Sequence, residues 1–316
     1  MSTEQAVLGS FSAADGTRAW QFRSGTSSST PAVGDGSLYF GDDGVIYAID
    51  SADGTVEWSV ATNGFLMTSV TLEDGTVYTS GGPRSRRLYA IDAGTGSVEW
   101  THSTDDLDGP LINVPPAVDS AGVVVSVDVY TESSSRPQLR SLSLDGKEQW
   151  RYEIPASYGS LSTPVLWNDR VYVSVGDYGI VALNRETGES EWAHRVDDLW
   201  ALNGILSSPA VADGTVYGTS SGRELFALTA DDGTVEWQVD LELPTVSSPV
   251  VAGQRLYIGT TERSDRPEME AEVLGIDTAD GSIDWRWTAP GSVPTTGSVG
   301  DGTLFISTDR TLHALA

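Results

Sequence analysis

The chain of 316 residues has no cysteine, which excludes a disulfide framework and any thiolate metal site. Lysine is nearly missing too, with Lys147 alone beside seventeen arginines. Histidine is scarce: His102, His194 and His313 stand far apart, and no His-x-x-x-His pair, Gly-x-Ser-x-Gly elbow or phosphate-binding glycine loop occurs. Hydrolase and phosphoryl-transfer chemistry therefore lack their usual local signatures. No apolar run approaches the ~20 residues that a membrane-crossing helix needs. The segment Met1 to Leu8 has no basic stretch followed by an apolar core. The expectation is a chain without a transmembrane segment, cytoplasmic by default, and extracellular or membrane-anchored only if a leader was removed.

What is abundant is acid. Asp and Glu number 45 against 18 basic residues, for a net charge of −27. Such a surface repels nucleic acid, which selects basic stripes. A dense carboxylate shell holds water where salt screens charge within a few ångströms, and in dilute buffer it repels itself. Together with the single lysine it predicts a protein adapted to high salt, of haloarchaeal source.

Internal repetition dominates the rest. Tyr47-Ala48-Ile49-Asp50 followed by Gly54 and Trp58 recurs as Tyr89-Ala90-Ile91-Asp92 with Gly96 and Trp100, and as Val181-Ala182-Leu183-Asn184 with Gly188 and Trp192. Further copies carry Ala227, Gly233 and Trp237, then Gly275, Gly281 and Trp285. A shorter copy runs from Ser141 through Gly146 to Trp150, and Gly16 with Trp20 represents a seventh. The seven tryptophans are spaced 38, 42, 50, 42, 45 and 48 residues apart. Periods of this length signal propellers or arrays.

Each unit opens on a small-hydroxyl and proline segment, as in Thr30-Pro31, Thr163-Pro164, Ser208-Pro209 and Ser248-Pro249. A tight turn follows, at Asp35-Gly36, Asp74-Gly75, Asp213-Gly214 or Asp301-Gly302, flanked by alternating apolar residues, which is the strongest short-range hairpin signal. Four strands per unit result: A with Ser/Thr-Pro, B with Leu-Tyr or Val-Tyr, C with Ala-x-Asp, and D with tryptophan. The aspartates after strand C read as turn caps and the glycines as left-handed turn residues. The periodic tryptophans read as core between stacked sheets, with the small residue ten positions earlier making room for a ring.

The Ala-x-Asp, Thr/Asp-Gly and Trp pattern resembles the pyrroloquinoline-quinone-like (PQQ-like) repeat, shared by quinoprotein dehydrogenases and the bacterial outer-membrane barrel-assembly lipoprotein B. The resemblance runs from about Phe11 to Ala316 and implies one seven-bladed β-propeller domain, residues 1–316, of four-stranded antiparallel blades. Residues Thr296 to Ala316 supply strands A to C of a unit, and Thr17 to Arg23 a lone D strand. The N-terminal strand is therefore expected to complete the last blade. Val7-Leu8-Gly9-Ser10-Phe11 also reads as part of a second C strand, leaving an extra strand as the alternative.

Function is sought where blades differ, in the B–C and D–A connections that share one rim. Three long B–C connections, Pro83 to Arg87, Thr131 to Pro137 and Thr261 to Glu272, hold Arg84, Arg86, Arg87, Arg136, Arg263 and Arg266, six of the seventeen arginines. Arg forks match carboxylate and phosphate, so this rim is a candidate partner-binding surface. Trp200, outside the repeat pattern, is the candidate aromatic anchor. Asp106 and Asp108 form a fragment of a calcium loop whose further ligands are missing.

Compared with quinoprotein dehydrogenases, the chain is short, has one blade fewer and lacks the adjacent cysteine pair of many of them. No cofactor is therefore expected, PQQ least of all, and calcium is the one metal left open. The reading is a monomeric, non-catalytic binding or assembly scaffold with a protein partner. The alternative is a quinone- or metal-dependent enzyme with its site at the channel mouth.

Overall fold

A computed structural model describes residues 7–25, 29–62, 69–80, 87–104, 114–130, 135–155, 161–176, 178–196, 207–220, 223–245, 247–260, 271–288, 297–308 and 311–315. All regular structure among them is β, arranged as the antiparallel sheets of a seven-bladed propeller. Six sheets have four strands in the order A-B-C-D, spanning residues 32–61, 71–103, 117–153, 165–195, 210–240 and 250–288 (blades 1 to 6). Blade 7 has three strands, Ser298–Gly300, Thr303–Thr308 and Thr311–Leu315. The chain divides into two compact units, Met1–Pro155 with blades 1 to 3 and Ala156–Ala316 with blades 4 to 7.

Turn chemistry sets the hairpins. Asp35 and Gly36 have φ of 50° and 83°, and Asp74-Gly75, Asp213-Gly214 and Asp301-Gly302 repeat the two successive positive values. This is the turn whose twist matches that of the strands it joins. After strand C, a side-chain oxygen accepts from the turn: Asp50 from Ala52 N at 2.7 Å, Asn184 from Thr187 N at 3.0 Å and Asp277 from Ala279 N at 2.8 Å. Hydrogen bonds from the Thr95 hydroxyl to Asp92 and from the Thr55 hydroxyl to Asp53 hold both carboxyls below the usual carboxylate range. Strands C and D then pair with a one-residue bulge that recurs in blades 1 to 6 and places a small residue opposite the tryptophan, as in Ala48 with Trp58 and Ala182 with Trp192.

Within each unit, the indole of strand D reaches the next C–D turn. Trp20 Nε1 donates to Ser51 O at 2.8 Å, Trp58 to Ala93 O at 2.8 Å, Trp100 to Leu144 O at 2.7 Å, Trp192 to Ala230 O at 3.0 Å and Trp237 to Thr278 O at 2.9 Å. The rings lie over the turn glycines Gly54, Gly96, Gly146, Gly233 and Gly281. A tyrosine from strand B flanks the indole on its own blade, with centroids 5.9 Å apart for Tyr39 and Trp58 and 5.8 Å for Tyr172 and Trp192. Tyr172 also donates its hydroxyl to Ala230 O at 3.0 Å, so that carbonyl accepts from both rings. Burial pushes the Tyr172 hydroxyl up to about 12, with Arg170 pulling the other way, so it stays a donor throughout the neutral range.

One expectation is corrected. The N-terminal tryptophan strand Arg18–Arg23 does not complete blade 7; it pairs with Val7–Phe11 in a two-stranded sheet, with Trp20 opposite Ser10. The reason is local. Val7–Phe11 is itself a C-type strand, and the intervening turn is closed by Asp15, whose carboxylate accepts from Thr17 N at 3.0 Å and Thr17 Oγ1 at 2.7 Å. A short hairpin forms at a lower loop-closure cost than a pairing across the whole chain.

The joint can be tested at two glycines with nearly equal φ, Gly75 at 75° and Gly96 at 72°. A β-carbon at Gly75 meets open space, whereas at Gly96 it would sit 2.8 Å from the Trp58 ring. Gly75→Ala is expected to cost about 1 kcal/mol, the left-handed penalty alone. Gly96→Ala should cost about 2–4 kcal/mol, because the indole is displaced as well. Chemical denaturation of both variants checks this, and equal costs would show that the ring contact contributes nothing.

Candidate functional site

The two ends of a sheet differ. At one end of blades 1, 2, 4, 5 and 6 the A–B and C–D turns are latched by a backbone bond: Ser51 N to Gly36 O at 2.8 Å, Ala93 N to Gly75 O at 2.8 Å, Arg185 N to Asp169 O at 2.8 Å, Ala230 N to Gly214 O at 2.8 Å and Thr278 N to Gln254 O at 3.1 Å. The other end carries the B–C and D–A connections, whose lengths vary from blade to blade. Its strands are anchored by serines two residues before the proline, a role the Ser/Thr-Pro pattern did not disclose. Ser29 Oγ accepts from Gly41 N at 2.8 Å, Ser162 Oγ from Ser174 N at 3.0 Å and Ser247 Oγ from Gly259 N at 2.9 Å, and Ser207 bonds Thr219 at 2.7 Å. All four serines are buried. The recurrence of serine at that spacing was the available signal.

Most of the candidate residues, namely Trp200, Arg84, Arg86, Arg263, Arg266, Asp106 and Asp108, lie outside the described residues. Two arginines expected in loops are in strands instead. Arg87 opens strand Arg87–Asp92 opposite Ser103, and Arg136 lies in Ser135–Leu142 opposite Val129. In blade 3 the apolar alternation of strand B runs on through Val127 and Val129, so pairing extends to Tyr130 with Ser135 and the connection shortens to residues 131–134.

The histidines serve packing and pairing. His194 packs against Phe226 with centroids 4.9 Å apart and the rings tilted by 47°, and burial lowers its pKa against the opposing pull of Glu224. His313 lies 4.9 Å from the Trp287 ring, with Nε2 3.0 Å from Thr308 Oγ1. His102 stands opposite Leu88 in the blade 2 ladder. Among the described residues no group of three or more His, Cys, Asp or Glu could hold a metal ion. A cavity of about 250 Å³ at the latched end of blades 2 and 3 is lined by Glu73, Asp74, Glu99, Asp119, Tyr78 and Leu144. Its four carboxylates give it negative potential.

Sequence reading also missed Arg140, which is 1% exposed in strand C of blade 3. Other blades carry Tyr47, Tyr89, Phe226 or Leu274 at this position. Its guanidinium meets Glu148 at 3.3 Å, and Arg151 holds the same carboxylate at 2.8 Å. A buried charge survives when it is paired and hydrogen-bonded. Arg140 thus replaces an apolar contact with an ion pair inside the sheet, away from the variable end.

The repeat, the bulged C–D pair and the indole joint define a PQQ-like repeat propeller. A family profile described as outer membrane protein assembly factor BamB matches residues 4–197 and 179–315, and the chain belongs to this family. It is 27% identical over 304 residues to the outer membrane protein assembly factor BamB of Salmonella typhimurium, covering 90% of this chain and 70% of that protein. Over 125 residues it is 28% identical to the quinohemoprotein alcohol dehydrogenase ADH IIB of Pseudomonas putida, covering 35% of this chain but only 18% of the enzyme. The crystal structure of BamB from Moraxella catarrhalis superposes with a TM-score of 0.73 at 15% identity, over 98% of this chain and 87% of that one. At that identity the superposition speaks to the fold. No described helix is long and apolar enough to cross a membrane.

Proposed function

We propose that the chain is a non-catalytic scaffold, a single propeller domain that binds or assembles other proteins through the variable end of its blades. The carrying observation is the segregation of latched, repeated turns to one end and long, unrepeated connections to the other. A rigid sheet that holds an irregular loop presents it to a partner at little ordering cost. Membership in a family described by an assembly factor supports a protein as that partner. The residues assigned to docking are Trp200, Arg84, Arg86 and Arg87, with Arg136, Arg263 and Arg266 contributing charge.

Once a partner has been isolated from native extract at high salt, titration at that salt tests the surface. Trp200→Ala should weaken binding by about 2 kcal/mol, more than any single arginine change, because aromatic anchors dominate interfaces whereas rim charges are screened. Unchanged affinity in both Trp200→Ala and the Arg84/Arg86/Arg87 triple alanine variant would move the site to another face.

The resemblance to a quinohemoprotein dehydrogenase favours a second reading, a quinone-dependent enzyme. PQQ and calcium supplied with a panel of alcohols and sugars and an artificial electron acceptor discriminate the two. The scaffold reading expects neither stoichiometric quinone binding nor turnover, and turnover would replace it.

We also propose adaptation to high salt, which rests on the net charge of −27 and the single lysine. Self-repulsion among carboxylates falls as the Debye length contracts. The melting temperature should therefore rise from low to molar salt, and an unchanged or lower value would overturn this reading.

A further inference from the structure

In blades 1, 2, 4, 5 and 6 the carboxylate immediately before the tryptophan turns toward the first residue of strand B. What it meets there differs. In blades 1 and 5 it is a hydroxyl, with Ser37 Oγ 2.7 Å from Glu57 and Thr215 Oγ1 3.1 Å from Glu236. In blades 4 and 6 it is a guanidinium, with Arg170 Nε 2.6 Å from Glu191 and Arg255 Nη2 2.5 Å from Asp284. Arg170 gathers three carboxylates, because its Nη1 also meets Asp231, on the C–D turn of the next blade, at 3.2 Å and Asp169 at 3.4 Å. The repeat thus contains a seat for a guanidinium, and two blades fill it from their own strand B.

Blade 2 keeps the seat and has no arginine. Thr76 stands where Arg170 and Arg255 do, and its hydroxyl reaches Glu99 only at 3.4 Å. Beside that contact lies the cavity of about 250 Å³, where Glu73, Asp74 and Asp119 add three carboxylates to Glu99. Burial pushes the Tyr78 hydroxyl above its ordinary value, with Thr76 opposing and Glu99, Glu73 and Asp74 adding to the rise. Leu144 supplies an apolar wall, 42% exposed, from the next C–D turn, and Glu99 and Ser120 are exposed as well, so the cavity opens to solvent. Among the described residues no three carboxylates could hold a metal ion, so the cation that fits is an extended one. The volume is below the roughly 300–1,000 Å³ of sites for drug-sized ligands and suits a single side chain. Nearby cations of the chain are engaged elsewhere: Lys147 with Asp145 at 2.6 Å, and Arg140 and Arg151 with Glu148. Arg87 opens the strand whose last residue, Asp92, pairs with Thr76, which puts it roughly 16 Å away at ~3.3 Å per residue.

We propose that the cavity between blades 2 and 3 binds an arginine side chain presented by another protein, its guanidinium held among Glu73, Asp74, Glu99 and Asp119 and its stem lying on Leu144. A planar fork bridges separated carboxylates, whereas a lysine offers one point charge. The site lies at the turn end of the sheets and does not rest on the loop-end docking surface.

The probe is N-acetyl-arginine amide, titrated into the ¹⁵N-labelled full chain in the lowest salt that keeps it folded and read by backbone amide shifts. Saturable shifts are expected at residues 73–78, 119–122 and 144–147. N-acetyl-lysine amide should bind about tenfold more weakly for want of the fork, and guanidinium ion about tenfold more weakly for want of the stem. Glu99→Gln should weaken binding about threefold, the modest size of an exposed charge pair. Thr76→Arg, which copies Arg170, should abolish binding and raise the melting temperature by about 2 °C. Lys147→Met should leave binding unchanged. Absence of saturation, shifts centred elsewhere, lysine binding equal to arginine, binding that survives Thr76→Arg, or binding that emerges only in Lys147→Met would overturn the proposal, and equal affinity for guanidinium ion would overturn the assignment to a side chain.

Discussion

Everything in this fold depends on an indole laid across a glycine. The strand D tryptophan is bound to its own sheet by a small residue opposite it, and to the next sheet by a carbonyl that accepts its Nε1 and a glycine that lies beneath its ring. Three requirements meet in that glycine. It must adopt a positive φ to close the turn, it must lack a β-carbon to admit the ring, and it must sit two residues beyond the carbonyl or three beyond it, as Gly146 does after Leu144 and Gly96 after Ala93. A sheet with two apolar faces has no stable existence alone, so coupling between neighbours is what makes the blade a structural unit.

Much of this was legible. Tryptophan spacing, the Asp-Gly hairpin turns and the Ala-x-Asp strand are local patterns, and each corresponds to an observed strand or turn. What escaped were relations between residues distant in sequence. The turn glycines were readable as left-handed residues, but not as seats for a ring some forty residues earlier. The buried serines act on strand B residues twelve positions onward, which no local pattern announces. The N-terminal strand illustrates a degeneracy: Val7–Phe11 and Thr311–Leu315 both fit the C-strand pattern, and periodicity cannot decide which one the Trp20 strand chooses.

The candidate site was less legible than the fold, for a physical reason. Residues that repeat are packing and turn residues, so a pattern search finds joints and leaves the chemistry in the residues that do not repeat. Arg136 shows the limit: a polar stretch between two strands reads as loop, yet pairing opposite Val129 carries it into the ladder. The same logic governs the family. The chain is similar both to an assembly factor and, over 35% of its length, to a dehydrogenase, and that likeness says little about what it binds.

The latched turns have a consequence for how such a protein can vary. Because Ser51 with Gly36, and their counterparts in blades 2, 4, 5 and 6, close one end of those sheets through the backbone, inserting residues at the opposite end disturbs neither the latch nor the indole joint. The entropic penalty of a longer connection grows only logarithmically, by about 0.6 kcal/mol for each doubling of its length. Lengthening one connection is therefore a cheap change and shifting a turn glycine an expensive one, which leaves the blades as a fixed frame whose recognition surface can be rewritten one loop at a time.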